Sequence, residues 1–237
     1  MKKILITNDD GIDSDGLIRL AKVAMEFGEV WVVAPHSQRS AMSHSITLRH
    51  SIEAWEVDFP VPGIRAYACD GTPADCVRIG VLNIVPEKPD HVFSGINYGY
   101  NVGSDLQYSA TAGAAFEASF QKIHTIAFSE DADEMHEVTD EYIKDIMGDL
   151  LDKPLEINQI WNVNFPSCRL KDCKGILKGR TVSTDEFYKD RYLEKKVSSG
   201  KISYMVEGIR NYEASQGTDL RAILENYVSI GIATNIS

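Results

Sequence analysis

The sequence predicts an α/β fold: a three-layer, Rossmann-like arrangement with helices on both faces of a mostly parallel sheet. Three observations carry this expectation. Short all-apolar runs, Ile4-Leu5-Ile6 and Val30-Trp31-Val32-Val33-Ala34, have the composition of strands buried on both faces. Between them Leu17, Ile18, Leu20, Ala21, Ala24, Met25 and Phe27 recur at helical spacing, which makes a β-α-β unit with a right-handed crossover. Polar stretches follow the strand-like runs at their carboxyl ends, the edge at which open α/β sheets bind ligands.

The first strand ends in Thr7-Asn8-Asp9-Asp10-Gly11. Neighbouring residues of a strand point to opposite faces, so Asp9 and Asp10 converge on one ion only where the chain leaves the strand. Gly11 permits that turn. Asn-Asp-Asp-Gly is also ordinary turn chemistry, so this stretch alone leaves a metal site and a plain turn both open. Asp13-Ser14-Asp15 then supplies capping oxygens for the first helix, which Gly28 stops, and Pro35 closes the second strand.

Residues 36–47 break the rhythm. The stretch is hydroxyl-rich and lacks a helix or strand period, and it follows the second strand's carboxyl end. Residues 45–57 and 64–69 read as strands, with Pro60, Pro62 and Gly63 turning between them. Thr72-Pro73-Ala74-Asp75 is a helix start: an N-cap, a proline at the first helical position, and an acid in the first turn. Residues 90–94 form another strand, and a loop follows in which glycines alternate with Asn97, Asn101 and Asp105. Ser109-Ala110-Thr111 leads from it into a helix of small residues, slim enough to pack close to the sheet and able to present free N–H groups at its start. Residues 125–129 are the next strand, an acidic stretch leads into a helix ending near Leu151, and residues 160–164 form the expected last strand of the main sheet. The expected division is a catalytic core over residues 1–180 and a C-terminal arm over 181–237. The arm shows weak strand character at 201–206, a short helix at 221–225 and a final β-like run at 227–233.

Bulk properties narrow the function. The 237 residues are 43 % hydrophobic and 25 % charged, which suits a single globular domain with a small appendage. A net charge of −11 argues against binding a nucleic-acid polymer, whereas a small phosphate ester is accommodated if a cation screens the site. The run after Lys2-Lys3 is too short for a signal segment, and nothing approaches the roughly 18 apolar residues of a membrane span. Cys69, Cys76, Cys168 and Cys173 lack redox or zinc spacing and read as reduced thiols of a cytoplasmic protein. Of the histidines, only His44 falls in a candidate site loop; His36 and His124 read as structural.

Three loops therefore carry the candidate chemistry: Asn8-Asp9-Asp10-Gly11; Arg39-Ser40-Ala41 with His44-Ser45-Ile46-Thr47; and Ser94-Gly95-Ile96-Asn97 with Ser109-x-Thr111. In this order and spacing the chain resembles the SurE family of survival-protein nucleotidases. Further matches are Asp70-Gly71-Thr72-Pro73-Ala74-Asp75, Asn162-Val163-Asn164-Phe165-Pro166, and Thr218-Asp219 with Tyr227-Val228-Ser229-Ile230. The resemblance implies a metal-dependent phosphatase for nucleoside monophosphates, in which Asp9, Asp10, Ser40 and Asn97 hold one divalent cation. Four oxygen ligands, two of them anionic, suit Mg2+ or Mn2+. It implies further that Asn8, Asn101, Ser109 and Thr111 surround the phosphate, and that Asp9 and Asn97 are catalytic. Asp9 is the candidate by position for taking the proton of the attacking water.

The chain departs from the family's pattern in four places. Ala110 stands where the family has the glycine of Ser-Gly-Thr, and Ser43 replaces a loop glycine. Ser198-Ser199-Gly200-Lys201 replaces an Asp-Pro-Arg-Gly stretch, and Ser237 falls where relatives often continue into a terminal helix. The resemblance also implies a homodimer or homotetramer, and the aromatic and aliphatic residues Phe187, Tyr188, Tyr192, Tyr204, Met205, Tyr227 and Ile230 are expected to pack against another subunit.

Other readings fit less well. A receiver domain needs a phospho-accepting aspartate where this chain has Ser94-Gly95, and a haloacid-dehalogenase-type phosphatase needs an Asp-x-Asp that Asn8-x-Asp10 does not supply. A non-catalytic nucleotide-binding module on the same fold stays open, separable by whether phosphate is released from a nucleotide.

Overall fold

The computed structural model describes residues 1–196 and 200–236. Ser198 and Ser199, one of the expected departures, and Ser237 lie outside the described residues. A nine-stranded sheet runs in the order β3-β4-β2-β1-β5-β6-β7-β11-β8. Its centre is parallel: β1 (Lys2–Thr7) lies between β2 (Gly28–Pro35) and β5 (His91–Tyr98), with β6 (His124–Glu130) and β7 (Gln159–Phe165) continuing on one side and β4 (Arg65–Cys69) on the other. β3 (Ala54–Val57) and β11 (Val228–Thr234) are the antiparallel additions, to β4 and β7 respectively, and β8 (Ile176–Arg180) pairs parallel with β11.

Helices cover both faces, as the apolar runs require. α1 (Asp15–Ala24) and α4 (Glu137–Leu150) bury Leu17, Leu20, Ala21, Ile143, Ile146 and Met147 in a cluster with Ile4, Ile6, Val32, Phe93 and Phe128. α2 (Pro73–Ile79) and α3 (Ala110–Phe120) close the other face, where Cys76, Val77, Ala114 and Ala118 meet Leu5, Trp31, Val33 and Val92. The caps are those the sequence proposes. Ser14 accepts from the amide of Leu17, and Thr72 and Asp75 form a reciprocal capping box with Pro73 in the first turn.

Small residues on α3 serve a close approach. A side chain on Gly113 would collide with the backbone carbonyl of Ser43, so glycine lets the 36–47 loop lie directly on the helix.

Three elements differ from the sequence reading. Residues 45–53 do not form a strand, because carboxylates take their amides: Asp75 accepts from Thr47 N–H at 3.1 Å and Asp70 from Glu53 N–H at 2.8 Å. β5 does not stop at Ser94 but runs through Tyr98, with its register against β6 shifting between Ser94 and Asn97. β7 is not the last strand of the sheet, since β11 and β8 extend it. The sheet thus draws residues from both sides of the division expected near residue 180.

The rest of the C-terminal region is composite. Phe187 and Ile230, expected to meet another subunit, are buried within this chain. Phe187 packs with Val102, Leu220 and Ile223, while Ile230 joins the main core. Tyr227 is half-buried under the Lys174 ammonium. β9 (Tyr188–Lys196) and β10 (Ile202–Arg210) instead form a two-stranded ribbon that stands apart from the main sheet, with Tyr192, Tyr204 and Met205 exposed. The four cysteines are free thiols.

Candidate functional site

The carboxyl ends of β1 and β5 and the start of α3 meet at one point. Asp9 is buried there, and its Oδ1 accepts the Thr111 hydroxyl at 2.5 Å. The same hydroxyl oxygen lies 3.2 Å from Asn97 Oδ1. Asn97 reaches this position because β5 continues past Ser94, and its amide is oriented by donating to the Gly99 carbonyl at 2.6 Å. A hydroxyl has one proton, and the shorter contact assigns it to Asp9; Asn97 Oδ1 keeps acceptor capacity facing the same locus. Asp10 follows Asp9 in the same turn, and its Oδ2 accepts the amide of Tyr98, the residue after Asn97, at 2.9 Å.

Both carboxyls of the acidic turn are pushed toward the neutral form. Burial first, and then the neighbouring charge of Asp10, push the Asp9 carboxyl up to about 7 against the pull of the Thr111 hydroxyl and amide. Burial also raises Asp10, although the Tyr98 amide and the Gln38 side chain favour its anion. Two adjacent carboxylates and an amide oxygen, all hard oxygen donors, fit a Mg2+- or Mn2+-like ion. Among the described residues no cluster of three His, Cys, Asp or Glu side chains forms a metal site, so a cation here relies on Asn97 and hydroxyl oxygens beside the two aspartates.

The remaining sequence-predicted residues make contacts with other partners. Ser40 is exposed, and its Oγ accepts from Gln38 Nε2 at 3.1 Å. Its loop is tied to the acidic turn, because Arg39 N–H donates to the Asp9 carbonyl at 2.6 Å and the Arg39 guanidinium to the Asp70 carbonyl at 3.1 Å. Ser43 takes the left-handed conformation, with φ of 51°, that a glycine adopts freely; this costs on the order of 1 kcal/mol. Hydrogen bonds from its amide to the Tyr108 carbonyl and from its hydroxyl to the Gln107 carbonyl hold it there.

Asn8 is buried and folds back to shape the turn, donating to the Gly11 carbonyl at 3.0 Å and to Ser14 Oγ at 2.7 Å. Asn101 is a keystone of the Gly/Asn loop. Its amide donates to Asn164 Oδ1 at 2.8 Å and its side chain to Ser129 Oγ at 2.9 Å, while its carbonyl accepts from Asn162 and Asn164. Ser109 caps α3 by accepting the Ala112 amide at 3.0 Å. His44 pairs with Glu117 at 2.9 Å and stacks on Phe120, on the flank of α3.

The structure adds supporting contacts that the sequence does not specify. Gln38 and Tyr98 hold Asp10. Two carboxylates, Asp219 buried and Asp105 half-buried, pull the C-terminal region onto the Gly/Asn loop: Asp219 accepts the amides of Gly103 and Ser183, and Asp105 those of Phe187 and Tyr188. Only the partners reveal these roles; a lone acid in a polar stretch does not.

The comparisons agree with the geometry. The sequence profile described as "Survival protein SurE" matches residues 4–187. A protein named 5'-nucleotidase SurE from Clostridium botulinum (strain 657 / Type Ba4) is 36 % identical over 231 residues, covering 96 % of this chain and 90 % of that one. One of the same name from Thermoanaerobacter sp. (strain X514) is 37 % identical over 233 residues, with 96 % and 90 % covered. The crystal structure of the SurE protein from Aquifex aeolicus superimposes with a TM-score of 0.83 at 34 % identity, covering 99 % of this chain and 94 % of that one. With its acidic turn, Gly/Asn loop and small-residue helix assembled at one edge of the sheet, this chain belongs to the SurE family.

Proposed function

We propose that the chain is a 5'-nucleotidase, a divalent-metal-dependent phosphomonoesterase that hydrolyses nucleoside 5'-monophosphates, and 3'-monophosphates as a second class, to nucleoside and phosphate. The observation that carries this is the meeting of Asp9, Asp10, Asn97 and Thr111 at the strand carboxyl ends, in a chain whose relatives are named for that activity. Asp9, Asp10 and Asn97 would hold one Mg2+ or Mn2+, with Ser40 completing the set from its exposed loop. Such a cation, when bound, neutralises charge on the phosphoryl oxygens and positions the attacking water.

The chain's own residues do the rest. Thr111 fixes the orientation of Asp9, and the Asp9 oxygen that its hydroxyl leaves free takes the proton of the attacking water. Asn8 sets the turn that brings the two aspartates together. Asn101 locks the loop that follows Asn97, and Ser109 starts α3 so that its first-turn N–H groups and Thr111 face the phosphate. One P–O bond forms to the water oxygen as the ester P–O bond breaks, and the proton that Asp9 takes from the water passes to the leaving oxygen, which becomes the nucleoside hydroxyl.

Among the described residues no helix is long and apolar enough to cross a membrane. That and the four free thiols support a cytoplasmic enzyme. The exposed β9–β10 ribbon supports a homodimer or homotetramer, and the net negative charge argues against nucleic-acid polymers as partners. A panel of phosphomonoesters assayed for released phosphate with Mn2+ and Mg2+ tests the reading. Nucleoside monophosphates should be hydrolysed only with metal added; binding without turnover would identify a non-catalytic module instead.

A further inference from the structure

A cleft of about 740 Å3 opens directly from Asp10, lined by Gln38, Ile96, Tyr98, Glu134 and His136 among others. Its size lies within the range of about 300–1,000 Å3 of small-molecule sites. Tyr98 is the aromatic residue on this wall, and 55 % of its surface is exposed. Its backbone is nevertheless fixed, because it ends β5, pairs with Glu130 of β6, and donates its amide to Asp10. An aromatic ring held on a rigid strand end, one hydrogen bond from a carboxylate of the proposed metal site, costs little entropy to use as a stacking surface.

The charge of the cleft decides which half of the substrate enters. Asp10, Asp15, Glu130, Asp133 and Glu134 line it. Glu130 is occupied by Arg19 at 2.6 Å and by His136, and Asp133 accepts from the Ser167 hydroxyl, whereas Glu134 has no such partner among the described hydrogen bonds. An acidic wall repels a phosphate placed along it. It favours an uncharged group with N–H and O–H donors, which describes a ribose and a base.

We infer that this cleft takes the nucleoside half of the substrate, with the base stacked on the Tyr98 ring and the phosphate at the Asp9–Asp10 end. This rests on the phosphomonoesterase reading and deepens it: Tyr98 is a specificity residue that makes the base, and not only the phosphate ester, a recognised feature. Because backbone atoms hold Asp10, changing the Tyr98 side chain leaves that contact in place.

The test compares adenosine 5'-monophosphate with ribose 5-phosphate, the same phosphoester without a base, for the wild type, Tyr98→Ala and Tyr98→Phe with Mn2+ present. The quantity read is the ratio of kcat/KM for the two substrates. In Tyr98→Ala that ratio should fall by about tenfold or more, through KM for the nucleotide with kcat little changed; Tyr98→Phe, which keeps the ring, should stay within about twofold of wild type. An unchanged ratio in Tyr98→Ala, or a wild type that does not favour the nucleotide, overturns the inference while leaving the phosphomonoesterase reading intact. A wild type that releases phosphate from neither ester overturns both.

Discussion

Thr111 and Asp9, 102 positions apart in sequence, share the shortest hydrogen bond of the site, at 2.5 Å between hydroxyl and carboxylate. The bond joins the start of α3 to the end of β1, so the helix start is fastened to the carboxylate that we propose holds the cation. Thr111→Val keeps the shape and removes the donor. It should cost about 1–3 kcal/mol of stability for a buried acceptor left unpaired, read by thermal or urea unfolding, and Thr111→Ser should recover most of the loss. Equal stability of wild type and Thr111→Val would show that the bond is incidental.

Ser40 is exposed, its Oγ accepts from Gln38, and the neighbouring Arg39 amide donates to the Asp9 carbonyl. If its hydroxyl joins the cation, Ser40→Ala should weaken the half-saturating Mn2+ concentration for activity by about tenfold, the lower end of what a support residue of a metal site costs, and leave the melting temperature unchanged. Unaltered turnover at limiting metal would remove Ser40 from the site.

His91 and His124 lie at the opposite end of the sheet, with their Nδ1 atoms 3.3 Å apart. His124 Nε2 faces the Lys153 carbonyl at 2.9 Å and must donate to it, so neutral His124 accepts at Nδ1 and His91 donates. Burial, then the charge of His124 and of Lys2, push the His91 imidazole down to about 4, while Asp90 and Asp152 oppose this. A histidine whose pKa is lower folded than unfolded makes the unfolded chain bind more protons between the two values. Stability therefore falls as pH drops below about 6.5 and the loss levels off below about 4. Comparison of wild type with His91→Gln should show an acid-dependent difference on the order of 1–2 kcal/mol after allowance for solvent screening. Parallel stability profiles would contradict it.

The β9–β10 ribbon exposes apolar side chains on both faces: Leu193 pairs with Met205 on one and Tyr192 with Val206 on the other. An isolated hairpin is marginal in water, which argues for a covering subunit. Sedimentation velocity at micromolar concentration should give a dimer or larger, and Met205→Glu should shift the species toward monomer. A compact wild-type monomer would contradict self-association.

Much of this was legible in the sequence because it is local. The apolar runs of β1 and β2 and the capping box at Thr72 follow from composition and short spacing, and so does the acidic turn at Asp9. The non-strand at 45–53 was not legible, since alternation there suggests pairing while distant Asp70 and Asp75 take its amides. The placement of β11 between β7 and β8 is likewise a long-range choice that periodicity does not encode. In the site, the meeting of Asp9 with Asn97 and Thr111 agrees with the motif positions. The inward turns of Asn8 and Asn101 emerge only once their partners at Ser14, Ser129 and Asn164 are in place.

The most direct test of the account replaces each aspartate of the acidic turn by asparagine and measures turnover and metal-dependent melting together. Asn preserves size and turn geometry but removes one anionic ligand, and at position 9 it also relieves repulsion from Asp10. Asp9→Asn and Asp10→Asn should therefore fold with metal-free melting temperatures at or above that of wild type. Each should lose at least about a hundredfold in turnover and no longer gain thermal stability from added Mn2+. An active Asp10→Asn enzyme with unchanged metal dependence would contradict the assignment.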